Sequence, residues 1–137
     1  MSPLATFILG GSRSGKSSFA ERLASESKYP GGVVYIATAD SLDAEMASRI
    51  ELHKNRRPRE WKTWEGDIHT LPGEMGRMAE TNGVLLLDCL TMYLTRIFLS
   101  SPTSEGDDDA GWQVTEKKIL DEVRDIFKGF SHAGDAP

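Results

Sequence analysis

Leu4-Ala5-Thr6-Phe7-Ile8-Leu9-Gly10-Gly11-Ser12-Arg13-Ser14-Gly15-Lys16-Ser17 joins a short apolar run to a glycine-rich polar loop. The run from Leu4 to Leu9 reads as a buried strand that stops at the Gly10-Gly11 turn. From Lys16 onward Phe19, Ala20, Leu23 and Ala24 recur at helical spacing, so a helix is expected from Lys16 to about Ser27. Between strand and helix, Gly10 to Ser17 satisfies G-x-x-x-x-G-K-S/T at every fixed position, the pattern of a phosphate-binding loop. The spacing has a physical reason. Glycines let the backbone curl so that its N–H groups converge on an anion at the start of a helix, whose dipole favours negative charge. Lys16 is then the cation for the β and γ phosphates, and the Ser17 hydroxyl is a ligand for Mg²⁺. Gly10, Gly11, Ser12, Arg13, Ser14, Gly15, Lys16 and Ser17 are therefore read as nucleotide-binding, with ATP or GTP as the nucleotide. The competing reading is a glycine turn followed by a chance Lys16-Ser17; the flanking strand and helix are the context that favours the loop.

Pro30-Gly31-Gly32 breaks the chain, and Val33 to Ile36 is a second buried strand, completing a right-handed βαβ unit with parallel strands. Asp40 to about Asn55 reads as a helix capped by Asp40 or Ser41, with Leu42, Met46 and Ile50 as its apolar stripe. After Pro58, residues 61–65 look like a short extended segment. Residues 68–80 read as an amphipathic helix with Leu71, Met75 and Met78 inward. Val84 to Leu87, ending at Asp88, is the clearest further strand, and Leu90 to Leu99 a helix. Ser100 to Gly111, with its acidic run, reads as a solvated loop. A last helix is expected over 112–127, with Val114, Ile119, Val123 and Ile126 on its buried side, and 129–137 has the composition of a tail. These elements predict an α/β, P-loop NTPase-like fold: a mainly parallel sheet flanked by helices, one nucleotide-binding domain over 1–128.

At 137 residues the chain has material for one core. Its net charge of −5 argues against nucleic acid or an anionic membrane as the main partner. Cys89, the single cysteine, cannot form an internal disulfide, which suits a reducing compartment. No apolar run approaches the roughly 20 residues of a membrane span, and the start lacks a signal-peptide pattern. A cytoplasmic location is the expectation.

Two further features invite a chemical reading. Asp88 closes an apolar run, as the magnesium-organising carboxylate of such folds does, although a strand can also end in aspartate without consequence. Glu45, Arg49 and His53 lie four residues apart and so share one helix face, followed by the basic cluster Lys54, Arg56 and Arg57. That cluster could grip a nucleotide's phosphates, but composition alone favours a solvated helix face with a surface histidine. His69 and His132 read as surface residues.

The segments Ile8 to Ser17, Tyr35-Ile36-Ala37-Thr38-Ala39, Glu45-Met46 through Arg49-Ile50, His53-Lys54, Arg57-Pro58, Trp61, Thr63, Glu65 and Leu86 to Thr91 occur in the order found in one family. Over about residues 4 to 99 the chain resembles the bifunctional adenosylcobinamide kinase/adenosylcobinamide-phosphate guanylyltransferases of cobalamin biosynthesis. The string R-I-x-x-H-K-x-x-R-P-x-x-W-x-T-x-E is the specific part; the loop is shared with many NTPases. The resemblance implies phosphorylation of adenosylcobinamide by ATP or GTP, then transfer of GMP from GTP to adenosylcobinamide-phosphate through a guanylylated histidine. His53 stands at that histidine's place, and Lys16 is its catalytic companion. The resemblance also implies nucleotide contacts at Ala37, Thr38, Ala39, Lys54, Asn55, Arg56, Arg57, Glu65 and Asp88, metal contacts at Ser17 and Asp88, and a homotrimer with sites near subunit interfaces. Members continue beyond the last helix with further strands, so the fold is expected to be incomplete at its C-terminus. A generic small-molecule kinase, or a nucleotide-binding fragment inactive without that segment, are the alternatives.

Lys16→Ala should remove most nucleotide affinity, because the loop loses its cation at the β and γ phosphates. Calorimetric titration with GTP checks this, and unchanged binding would overturn the loop assignment.

Overall fold

A computed structural model describes residues 5–27, 29–39, 44–81, 83–100 and 109–132; the side chains of Met46, 109–111 and 129–132 lie outside that description. Strand β1 (Val33–Ala37) lies between β2 (Lys62–Trp64) and β3 (Val84–Asp88), and both pairings are parallel. Five helices accompany them among the described residues: α1 (Lys16–Glu26), α2 (Ala44–Arg56), α3 (Leu71–Thr81), α4 (Leu90–Ser100) and α5 (Asp109–His132). This is the α/β arrangement expected from the sequence, consistent with a P-loop NTPase-like fold.

Side chains alternate across a strand, so β1 feeds two apolar layers. Val34 and Ile36 are buried with Ile68, Leu71 and Met75 and with Tyr93, Ile97 and Ile126 from α4 and α5. On the other face Val33 and Tyr35 meet Ala24 of α1 and Leu86 of β3. A strand covered on both sides must be apolar throughout, which is why 33–37 reads as an unbroken run. Between α4 and α5 the buried Tyr93 hydroxyl donates to Glu122 Oε2 at 2.5 Å, which gives that polar tip a partner.

Several expectations need correction. The described part of the first expected strand, residues 5–9, forms none; Phe7 is 63% and Leu9 79% exposed. A strand of a parallel sheet needs a ladder along its edges and helices over its faces. Among the described residues this segment pairs with no strand, so Phe7 and Leu9 stay in water and Ile8 is only half-buried. Helix α1 turns its small residues, Ala24 buried and Ala20 half-buried, to the sheet, while Phe19 and Leu23 are exposed. The expected helix over 68–80 divides into a 3-10 turn at Ile68–Thr70 and α3 proper. Asp67 causes the division by accepting from His69 N at 2.9 Å, and Pro72 is tolerated in the first turn of α3 because no helical donor is lost there.

Helix α5 begins at Asp109 and continues to His132, overrunning both the expected loop and part of the expected tail. Ile126 is buried, and Ile119 and Val123 are half-buried, but Val114 is 70% exposed. Val114 precedes Ile119 by five residues, which places it about 140° around the helix from the buried stripe. The proposed caps Asp40 and Ser41, Leu42 and most of the acidic loop lie outside the described residues, as does the side chain of His132. His69 is exposed, as expected.

Met75→Ala should lower stability by about 2–5 kcal/mol, because its side chain fills the layer between α3 and β1. Val114→Ala should stay within about 0.5 kcal/mol. Urea denaturation midpoints of the two variants check the contrast.

Candidate nucleotide site

The loop enters α1 through two left-handed residues, Arg13 (φ 56°) and Gly15 (φ 84°), the backbone alternation that aims successive N–H groups to one side. Gly15 is the N-cap of α1 and brings no side-chain acceptor, which leaves the first-turn donors to an incoming anion. At Gly10 an added Cβ would stand 2.6 Å from Ser14 Oγ, so a side chain there would push the Ser14 hydroxyl aside. Lys16 folds back, and its Nζ donates to Gly11 O at 2.9 Å.

The carboxyl ends of β1 and β3 lie side by side because Ala37 pairs with Asp88. Thr38, fully buried, ties them: its Oγ1 donates to Cys89 O and accepts from Cys89 N, both at 2.7 Å, while Thr38 N donates to Asp88 O at 3.2 Å. Arg96 of α4 donates from Nη1 to Thr38 O at 3.0 Å. Ala39 next to it is exposed. Tyr35 donates its hydroxyl to Asp88 Oδ2. Burial, then the Asp88 carboxylate and its hydrogen bond, push the Tyr35 phenol well above its ordinary pKa, with Glu21 of α1 adding to this and Arg57 opposing it. Tyr35 is therefore a fixed donor that holds one oxygen of Asp88.

On α2, His53 is half-buried, and its Nδ1 is enclosed with no hydrogen-bond partner among the described residues. Lys54 Nζ pairs with Glu65 Oε1 at 2.7 Å, a partly exposed pair of modest worth. Asn55 and Arg56 are exposed, and Arg49 is occupied by Glu45 at 2.7 Å. Arg57 points inward instead: Nε donates to His53 O and Nη1 to Thr63 Oγ1, each at 3.2 Å, with the guanidinium 3.7 Å from the Tyr35 ring centroid. A polar recess of about 310 Å³ opens among Lys54, Asn55, Arg57, Arg59, Trp61 and Thr63.

The structure thus brings together Ala37, Thr38 and Asp88, joins Lys54 to Glu65, and connects His53 to Asp88 through Arg57 and Tyr35. Among the described residues no hydrogen bond or ion pair joins the loop 10–17 to α2. Tyr35, Thr63, Glu21 and Arg96 were not foreseen as site residues. A tyrosine in an apolar strand and a lone arginine in the apolar helix 90–99 were the available signals, since each buried polar tip must find a partner. Ser17 and Asp88 sit on α1 and β3, which are in contact. No group of three or more His, Cys, Asp or Glu among the described residues could hold a metal. A hydroxyl and one carboxylate fit Mg²⁺, which completes its shell with phosphate oxygens and water, and do not fit zinc.

A parallel sheet with a glycine loop at the head of its first helix defines a P-loop NTPase-like α/β protein. Residues 6–134 match the family described as CobU, cobinamide kinase / cobinamide phosphate guanyltransferase, and the chain belongs to that family. It is similar to the bifunctional adenosylcobalamin biosynthesis protein CobP of Pseudomonas aeruginosa, 50% identical over 92 residues, which are 67% of this chain and 51% of that protein. It is also similar to the bifunctional adenosylcobalamin biosynthesis proteins CobU of Escherichia coli and Salmonella typhimurium. The first is 37% identical over 88% of this chain and 64% of the relative, the second 34% identical over 85% and 62%. The chain therefore spans between half and two thirds of the length of these relatives. No helix among the described residues is long and apolar enough to cross a membrane.

Thr38→Val keeps the shape but leaves the Cys89 N–H and C=O without their shared partner, so stability should fall by about 1–3 kcal/mol. Thermal and urea unfolding of the variant check it; an unchanged midpoint would mean the bridge is dispensable.

Proposed function

We propose that this chain phosphorylates adenosylcobinamide with ATP or GTP and then transfers GMP from GTP to adenosylcobinamide-phosphate, giving adenosylcobinamide-GDP. The observation that carries this reading is that the family match over 6–134 takes in both the phosphate loop and His53.

In the kinase step the loop N–H groups and Lys16 hold the β and γ phosphates in line with the substrate hydroxyl. The hydroxyl oxygen bonds to the γ-phosphorus, the bond to the β–γ bridging oxygen breaks, and the hydroxyl proton is released. Ser17 and Asp88 would hold Mg²⁺, which would neutralise charge at the phosphates. In the second step an unprotonated imidazole nitrogen of His53 attacks the α-phosphorus of GTP, and pyrophosphate leaves. The phosphate of adenosylcobinamide-phosphate then displaces the histidine, breaking the P–N bond and restoring the imidazole. Ala37, Thr38 and Ala39 by main chain, and Lys54, Asn55, Arg56 and Glu65 by side chain, complete the nucleotide contacts in this proposal. Thr38 contributes only backbone, because its hydroxyl is committed to Cys89. A cytoplasmic homotrimer, with 1–128 as its nucleotide-binding domain, belongs to the same reading.

His53→Asn should abolish covalent labelling by α-labelled GTP and formation of adenosylcobinamide-GDP, while phosphorylation of adenosylcobinamide survives. The wild-type adduct should resist alkali and be labile in acid. Label retained in the variant would move the attachment elsewhere, and equal loss of both activities with folding intact would make His53 a binding residue.

A further inference from the structure

Arg57 belongs to a basic cluster, yet it is only 9% exposed. Three elements meet on its side chain. Nε returns to the carbonyl of His53, an orphan acceptor in the last turn of α2; Nη1 reaches Thr63 on β2; and the guanidinium plane covers Tyr35 on β1. Tyr35 in turn holds Asp88. Most of α2 faces water, Leu52 included, and its other polar tie to the sheet region is the partly exposed Lys54–Glu65 pair. His53 Nδ1 has no hydrogen-bond partner among the described residues, so the ring takes its place from its backbone and packing.

We propose that Arg57 is a positioning residue for His53, clamping the end of α2 onto β1 and β2, and is not a ligand of the nucleotide phosphates. A phosphate ligand needs an open guanidinium edge. Here two donor nitrogens are committed to protein acceptors, and one face is stacked on an aromatic ring. Lysine would keep the charge while losing the fork and the stack, so the role is specific to arginine.

The role of His53 as guanylyl carrier comes from the reading above, and the experiment separates the two. Arg57→Lys and Arg57→Ala are compared with the wild type for GTP affinity by calorimetry, for the rate of covalent labelling at saturating GTP, and for amide hydrogen exchange over residues 44–56. Expected is a labelling rate lower by about tenfold to a hundredfold, with the GTP Kd within about twofold and faster exchange in α2. Arg57→Lys keeps the test valid should Arg57→Ala fail to fold. A weakened Kd with an unchanged saturated rate would overturn the proposal in favour of phosphate binding, and so would unchanged rate and exchange. If the wild type takes no label, the guanylyl reading falls, and exchange alone decides: faster in Arg57→Lys supports the clamp, unchanged overturns it.

Discussion

Parallel strands finish on the same side of their sheet, and β1 pairs with β3 from Val33↔Val84 to Ala37↔Asp88. That register puts Thr38 against Cys89, where one hydroxyl satisfies both backbone groups of its neighbour, and puts the Tyr35 hydroxyl within reach of Asp88. It also decides the layers. A slip of one residue would turn Tyr35 into the cluster now filled by Val34 and Ile36 and would carry those two out of it. The geometry of the strand ends thus rests on the same pairing that buries the core, and residues meant to meet a ligand are held by elements that cannot move independently.

Around that edge the charges are arranged in depth. Asp88 and Glu21 surround Tyr35 with negative potential, and Arg57 opposes it from across the ring. The cation is buried, but two of its nitrogens have protein acceptors and one face is covered by an aromatic ring, which lowers the cost of holding a charge away from water. Arg56 beside it is exposed, and Lys54 is half-buried against Glu65. One helix end therefore carries a buried cation and more exposed ones within four residues.

Much of this was legible before any coordinates. The apolar run 33–36 is a strand because it is buried on both faces, 84–87 is one at the sheet edge with only Leu86 fully buried, and the glycine loop has a fixed pattern with a mechanical cause. What escaped the sequence depended on neighbours. The run 4–9 has a good strand pattern, but a pattern cannot say whether an edge exists to receive it. Periodicity marked one side of α1, yet Ala20 and Ala24 took the contact because small residues allow the closest approach, leaving Phe19 and Leu23 outside. Within the candidate site, the loop, Asp88 and His53 were found by motif. Arg57 read as a nucleotide contact of the basic cluster, and only the tertiary placement of Tyr35 and Thr63 shows it turned inward.

Lys16 resting on Gly11 O gives the loop a built-in competitor. Any anion that recruits the lysine must first outbid a neutral carbonyl, so binding is an exchange between acceptors and not a simple gain. Hydrogen bonds to ionised acceptors are roughly twice as strong as neutral ones. A polyphosphate, presenting several charged oxygens to the lysine and the loop amides together, wins that exchange readily. An anion that reaches Lys16 thus meets a lysine already provided with an acceptor, and the exchange hands Gly11 O over to water.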